Sequence, residues 1–333
     1  MAALNPEGVD PPRAVRRAAG FQRHPRNGAP YVNHPFKLTQ KEKPARVMYG
    51  RPSNFGAQVE NRFNLERWSE RRVLFGAALL DDLDSLVGCD IDDPEVTDRL
   101  DGMVLEAKTR AGARLAAQRG TLTHEFTEYV DRHEGSPLSA LEYAEELGIP
   151  NKAVTAVMDV YGRTIGAYDI QTQYIEQTVV DDRWRLAGTL DRVSLLGQDL
   201  MFQDGTVVEA GTYVILDIKT GRIKLDRNGV PDYWHSYAVQ IASYSHSLPY
   251  FIAEDSWDEY REEWPFEISQ RHGLILHLDI GNAVEEGVAT ARLFHVDLDE
   301  GHRAGDLCRK ARDWQSMNGI VQPLAAPPLA VNV

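Results

Sequence analysis

Hydrophobic and polar residues along the chain switch between two periods, and the switches mark the elements. Tyr213-Val214-Ile215-Leu216 is an apolar run of strand length, and it ends in Asp217-Ile218-Lys219-Thr220-Gly221. Alternation from Trp184 to Leu196 predicts a second strand, with Gly197 to Gly205 as the turn region of a meander into the first. Gln173 to Val180 predicts another, and Gly273 to Leu278 with Thr290 to Leu298 predicts an antiparallel pair. Helical spacing appears between Asn54 and Val87, where Phe63, Leu65, Trp68, Val73, Leu74, Leu79 and Leu80 recur. A further helix starts at Asp93-Pro94, a cap followed by a first-turn proline, and runs to Arg119. Gly120 is expected to end that helix and Thr121 to cap the next one, in which Phe126, Tyr129 and Val130 share a face. Ser136-Pro137 opens another by the same logic. Asn151 to Ala167, His235 to Tyr250 and Glu300 to Met317 complete the helical set.

The periods decide which polar groups meet. Successive strand side chains alternate between faces, so Asp217 and Lys219 point the same way while Ile218 points into the core. Burying charge is costly unless it is paired or bound to metal, and Thr220-Gly221 then opens the chain into a turn with room for a ligand. On its own an acid-x-Lys pattern is more often an edge ion pair. Asp191 can stand beside Asp217 if the two strands are neighbours, about 4.8 Å apart; taken alone, it reads equally as a surface acid paired with Arg192. Two oxygen donors from adjacent strands, with the Ile218 carbonyl as a further ligand, suit Mg²⁺ or Mn²⁺. His124 is expected in the first turn of its helix, within reach of the ion. Gln240 and Tyr244, four residues apart, share one helix face.

The ordered set Gly120-Thr121-x-x-His124, Gly188-x-x-Asp191-Arg192, Asp217-x-Lys219-Thr220-Gly221 and Gln240-x-x-x-Tyr244 resembles the RecB-type branch of the PD-(D/E)XK nuclease superfamily, especially the RecB-like exonucleases of phages and CRISPR-associated proteins. The likeness covers about residues 115 to 300. It implies an α/β, restriction-endonuclease-like fold: a mixed central sheet flanked by helices, with the catalytic strands central and His124 donated from an outside helix. It also implies that His124, Asp191 and Asp217 ligate the metal and that Lys219 assists the attacking water. Gln240 and Tyr244 would contact DNA near the site, with Thr220 and Arg222 on the turn beside them. Glu176 resembles an accessory acid. Lys219 either stabilises the transition state as a cation or has its pKa lowered by burial, and the residues alone leave both open.

Composition adjusts this picture in three places. Many relatives bind an iron-sulfur cluster through four cysteines; this chain has only Cys89 and Cys308, so no cluster is expected, and the two are read as buried free thiols. The formal net charge is -14, yet residues 1–50 carry +6, leaving -20 elsewhere. A grip on DNA would then come from the basic arm, from oligomerisation, or from local cations such as Lys219, Arg222, Lys224 and Arg227. No apolar run approaches the roughly 20 residues that span a bilayer, and the N-terminus has no signal-peptide core, so a cytoplasmic protein without membrane contact is expected. His277 and His295 alternate with apolar residues and read as structural. No Walker sequence is present.

The expected organisation is a flexible basic arm (1–50), a helical cap (51–114), a nuclease core (115–320) and a Pro-rich tail (321–333). The expected function is metal-dependent exonucleolytic hydrolysis of DNA in recombination or repair. It would be phage-encoded, with an annealing protein as a natural recipient of the single strands and a homo-oligomer compatible with processivity. A structure-specific or nicking endonuclease, and a nuclease fold kept as a non-catalytic DNA-binding module, are the alternatives.

Overall fold

The computed structural model describes residues 21, 23, 29–39, 44–132, 138–221, 223, 225–231, 235–252 and 259–320. In chain order the elements are β1 (Tyr31–Leu38), β2 (Pro44–Met48), α1 (Pro52–Gly56), α2 (Phe63–Ala77), α3 (Pro94–Arg110), α4 (Leu115–Arg132), α5 (Leu138–Glu146), α6 (Asn151–Ala167), β3 (Ile170–Asp181), β4 (Leu186–Leu196), β5 (Leu200–Met201), β6 (Val207–Val208), β7 (Tyr213–Thr220), α7 (His235–Ser245), β8 (Leu248–Ile252), β9 (Glu259–Arg261), β10 (His272–Leu278), α8 (Ile280–Glu285), β11 (Ala291–Asp297) and α9 (Leu298–Gln315).

Seven strands form one mixed sheet in the order β11-β10-β7-β4-β3-β8-β9. β3, β4 and β7 are an antiparallel meander; α7 follows and leads to β8 beside β3, and after β9 the chain returns to β10, which runs parallel to β7. β4 is the middle strand. Helices cover both faces because β7 sends its side chains both ways: Val214, Leu216 and Ile218 enter a core with Leu122, Phe126, Val157 and Tyr161 of α4 and α6. Ile215 enters the opposite core, with Val239 and Ala242 of α7 and Leu298 and Cys308 of α9. Each such aliphatic side chain, fully buried, stabilises the fold by roughly 1.5–3 kcal/mol.

Several expected boundaries move. Asp93 caps α3 as expected, accepting from the Glu95 N–H at 2.8 Å, but the helix ends at Arg110. Gly112 takes a φ of +71°, and Ala113 N–H donates to Lys108 O while Gly112 N–H donates to Thr109 O. That paired closure is how a helix satisfies its last carbonyls with a left-handed glycine. The chain re-enters helix at Leu115 and passes through Gly120 unbroken. Thr121 is therefore no cap; its hydroxyl donates back to Ala117 O at 3.2 Å, and His124 lies in mid-helix. Gly120 has a different use. α4 crosses the end of β7 there, and a Cβ would meet Thr220 Oγ1 at 3.1 Å.

α7 ends at Ser245 rather than continuing to Tyr250. Pro249 disfavours helical geometry at the residue before it, and Leu248–Ile252 instead joins the sheet beside β3. The arm expected over 1–50 is structured in part: β1 and β2 form a hairpin. Phe21, Val32 and Tyr49 are buried with Tyr250 and Val180. Ser136, Pro137, Arg222, Lys224 and the 321–333 tail lie outside the described residues.

Candidate metal centre

The site forms where two neighbouring strands part. The β4–β7 ladder runs from Leu195↔Tyr213 to Arg192↔Leu216. One residue beyond Arg192 on β4 and two beyond Leu216 on β7, Ile218 N–H donates to the Asp191 carboxylate at 2.6 Å. A side chain thus replaces a strand at the ladder's end, which satisfies a buried donor and fixes the acid's direction. Across the other neighbour, Ile175↔Arg192 and Gln177↔Leu190 put Glu176 level with Asp191.

Glu176 is held in an unusual way. Its φ is +48°, a left-handed conformation that costs a non-glycine residue on the order of 1–3 kcal/mol and persists only when the surroundings impose it. Those surroundings are a buried cation and an imidazole: Arg192 Nη1 and His124 Nδ1 each lie 3.5 Å from Glu176 Oε1. His124 Nδ1 is also 3.6 Å from Asp191 Oδ1. His124, Glu176 and Asp191 therefore offer three donor atoms within 4.8 Å of one another, a grouping able to hold a metal ion.

Asp217 lies beside this group rather than in it. It is 1% exposed; Gln240 Nε2–H donates to its Oδ1 at 3.1 Å, and its Oδ2 is ion-paired with the Lys219 ammonium. The shared face expected for Asp217 and Lys219 is thus present, as is the inward direction of Ile218. Lys219 Nζ also stands 4.4 Å from the centre of the Tyr237 ring, a cation–π arrangement. Tyr244 donates its hydroxyl to Thr189 O at 3.0 Å and is 4% exposed, so Gln240 and Tyr244 both form the wall of the site. Thr220 closes β7 against α4. Arg227 is exposed on the turn that follows.

The charges shift one another. Burial works against the imidazolium, but the carboxylates of Asp191, Glu176 and Asp217 outweigh it and raise His124 to about 9. Burial raises Asp217 to about 6, with Lys219 offsetting part of the effect and Asp191 adding to it. Burial likewise opposes the Lys219 charge, yet Asp217 and Asp191 hold its pKa above the ordinary lysine value. In the metal-free site Lys219 is a cation, not a base.

Beneath these groups lies a network that the motif spacing did not suggest. Arg192 is fully buried and donates from Nε to Asp131 at 2.6 Å, from Nη1 to Asp191 O at 2.7 Å and from Nη2 to Thr127 Oγ1 at 3.1 Å. Tyr161 donates to the same Asp131 carboxylate at 2.7 Å. One guanidinium thereby ties β4 to α4 and, through Asp131, to α6. The alternative pairing of Asp191 with Arg192 is absent, because the guanidinium turns toward α4. Two signals in the sequence could have located these partners. Asp131 lies seven residues after His124, on the same helix face, and Tyr237 lies three before Gln240.

His277 and His295 are not in the cluster. His277 is buried and donates from Nε2 to Gly221 O at 2.6 Å, pinning the turn after Lys219; His295 meets His272 at 3.0 Å. Cys308 is buried as expected, whereas Cys89 is exposed: it sits on the acidic connection between α2 and α3, whose residues are mostly exposed. Among the described residues, no helix is long and apolar enough to cross a membrane. No family model matches the chain, and no curated protein matches it.

Proposed function

We propose that this chain is a divalent-metal-dependent DNA exonuclease of the RecB-like, restriction-endonuclease-like type. The observation that carries the reading is the His124–Glu176–Asp191 cluster standing beside the Asp217–Lys219 ion pair where β4 and β7 part. An acid cluster alone is common. A fixed ammonium next to it is what hydrolysis of a phosphodiester calls for, since negative charge must be gathered and then stabilised in one place. The sheet supports the same reading, with the site strands in its middle and the imidazole supplied by a flanking helix.

The donor set of one imidazole and carboxylates fits Mn²⁺ or Mg²⁺. His124, Glu176 and Asp191 would hold the ion, with Asp217 and the Ile218 carbonyl adjoining it. When bound, such an ion lowers the pKa of water and neutralises charge on phosphoryl oxygens. The chain's own residues do the rest. Lys219, kept charged by Asp217, faces the phosphoryl group as a fixed cation. Tyr237 and Asp217 restrict its position from either side. Gln240 holds the Asp217 carboxylate in its direction, and Arg192 and Ile218 N–H hold Glu176 and Asp191 in theirs. DNA would approach along Thr220, Arg222 and the exposed Arg227. A role in recombination or repair, encoded by a phage, acting in the cytoplasm of its host and passing single strands to an annealing protein, belongs to the same proposal.

Digestion of end-labelled linear single- and double-stranded DNA with Mg²⁺ or Mn²⁺ is the test, with closed circular DNA in parallel. Mononucleotide release from linear substrates alone is expected. Nicking of circles would replace the exonuclease with an endonuclease, and binding without degradation would leave a non-catalytic module. Asp217→Ala should abolish cleavage, and Lys219→Ala should lower it by about 10²–10³-fold. Full activity in either variant overturns the assignment.

A further inference from the structure

In a chain of net charge -14, arginines gather at the start of β4. Arg51 and Arg312 line a pocket of about 180 Å³, to which Asn54 and Gln58 bring amide groups and Phe55 and Leu186 apolar surface. Pockets that take a whole small molecule run to roughly 300–1,000 Å³, so this one suits a single charged group. Its walls are fixed by the fold. Gly50 N–H donates to Arg185 O and Ala187 N–H to Gly50 O, both at 2.9 Å, which ties the chain ahead of α1 to β4. Arg312, from α9, lies 5.0 Å over the Phe55 ring, a cation–π contact that sets its guanidinium.

Like charges crowd this pocket, and the described acids near it are engaged. Burial lowers the pKa of Arg312; Asp313 offsets part of that, and Arg185 and Arg309 add to it. Burial and then Arg51 lower Arg23. Asp313 is paired with Arg309 at 3.2 Å, and Asp181 accepts from Arg183 N–H, Trp184 N–H and the Ser243 hydroxyl. Arg185 itself holds a φ of +52°, the kind of strain that a fold keeps where it serves a purpose. Arginines brought together against their own repulsion fit an anion, and a phosphate matches the guanidinium fork. The pocket also lies in line with the metal centre. Leu186 stands five residues before Asp191 on β4, about 17 Å at a rise of roughly 3.3 Å per residue. Between them, a Cβ at Gly188 would meet both Pro52, next to Arg51, and the Tyr244 hydroxyl of the site wall at 3.2 Å. One strand of a duplex carries a phosphate about every 3.4 Å, so 17 Å spans about five nucleotides. We propose that the Arg51–Arg312 pocket holds a backbone phosphate of DNA, about five nucleotides from the bond at the metal centre, an inference that rests on the nuclease reading.

Fluorescence anisotropy on the full chain tests this, with a labelled duplex of two helical turns and Ca²⁺ in place of Mg²⁺, so that binding is read whether or not the protein cleaves. Arg51→Gln with Arg312→Gln should weaken binding at least about tenfold and lower the slope of log affinity against log salt by about 0.9, the loss of one phosphate contact. Lysine at both positions should keep the slope. Arg163→Gln, on the exposed side of α6 and paired there with Asp159, should change neither quantity. Should thermal melting show the glutamine pair unfolded, Arg51→Gln alone carries the test, with a smaller loss in the same direction. In a series of lengths, wild-type affinity should step up as the duplex passes about five base pairs, and the double variant should lack the step. No cleavage by the wild type, with binding as stated, would remove the nuclease and leave the phosphate site standing. Cleavage with a salt slope indifferent to both arginines would overturn the site and leave the nuclease. Calorimetry that finds inorganic phosphate bound through Arg51 and Arg312, with DNA binding unchanged by their loss, would assign the pocket to a free anion and likewise overturn the proposal.

Discussion

The middle of the sheet and the α2–α3 hairpin depart from ordinary burial in opposite directions. At the junction of β3, β4 and β7, an arginine is fully buried, an aspartate is nearly so, and a glutamate sits in a left-handed conformation. On the hairpin, leucine, tryptophan and phenylalanine side chains face solvent. The first arrangement is stabilised from within, because each charge has a partner: Arg192 with Asp131, Asp217 with Lys219, Asp191 with the Ile218 N–H. The second has no such compensation among the described residues: these apolar side chains stay in water. Strained and paired charges mark the first region, and apolar side chains left in water mark the second.

Removing one charge from the interior should separate the two regions most sharply. Arg192→Met leaves Asp131 in a 4% exposed position without its cation, which should cost about 3–5 kcal/mol. Arg192→Met with Asp131→Leu should recover much of that loss, since an apolar pair of similar volume needs no compensation. Phe75→Ser on the hairpin, at a side chain 63% exposed, should stay within about 0.5 kcal/mol. Urea titration measures all three. Equal losses at Arg192 and Phe75 would erase the distinction.

The same paired charges make the stability of the metal-free protein depend on pH. His124 titrates near 9 when folded, against 6.5 in the unfolded chain. A raised pKa means that the folded state holds the proton more tightly. The stabilisation is therefore complete below pH 6.5 and disappears as pH climbs through 9, by at most about 3 kcal/mol. His124→Gln should flatten that part of the thermal-melting profile, whereas hairpin variants should leave its slope unchanged. A wild-type melting temperature that does not fall between pH 6.5 and 9 would contradict the assigned carboxylate environment.

Much of the site was legible in the sequence because strand alternation is strict. Asp217, Ile218 and Lys219 fall where period two puts them, and the β10–β11 pairing follows from its two apolar runs. The helices were harder to delimit. Gly112 and Gly120 are both plausible breaks, and only the first is needed as one; the second serves a contact with Thr220 that no local pattern encodes. The fault moved His124 from a first turn to mid-helix without changing its face. Arg192 was equally obscure, since an arginine beside an aspartate reads as a surface pair until α4 is seen to supply Asp131. The left-handed φ of Glu176 leaves no sequence trace at all.

That conformation gives a smaller test. Glu176→Gly removes the backbone strain together with the carboxylate, while Glu176→Gln removes the charge and keeps the strain. The glycine variant should be about 1 kcal/mol more stable than the glutamine variant in the absence of metal. Both should bind Mn²⁺ more weakly than the wild type, measured by calorimetry. If glycine gives no advantage over glutamine, the left-handed backbone is unstrained and the inference from strain to function fails at this residue.

Gly120 offers the finest discrimination. An alanine in the interior of a helix is worth close to 1 kcal/mol over glycine, so α4 would gain by Gly120→Ala if nothing opposed it. The added methyl, however, meets Thr220 Oγ1 at 3.1 Å, tighter than ordinary packing, and Thr220 ends the strand that carries Asp217 and Lys219. Thr220 must then rotate or α4 must lift, and either response reduces the gain. Gly120→Ala alone should therefore fall short of the full helix increment, and in a Thr220→Ala background it should reach it. Activity should follow the same order, because lifting α4 carries His124 away from Glu176 and Asp191. A full increment in the wild-type background would show that α4 has room to spare over β7, and the close approach would then not be what keeps glycine at this position.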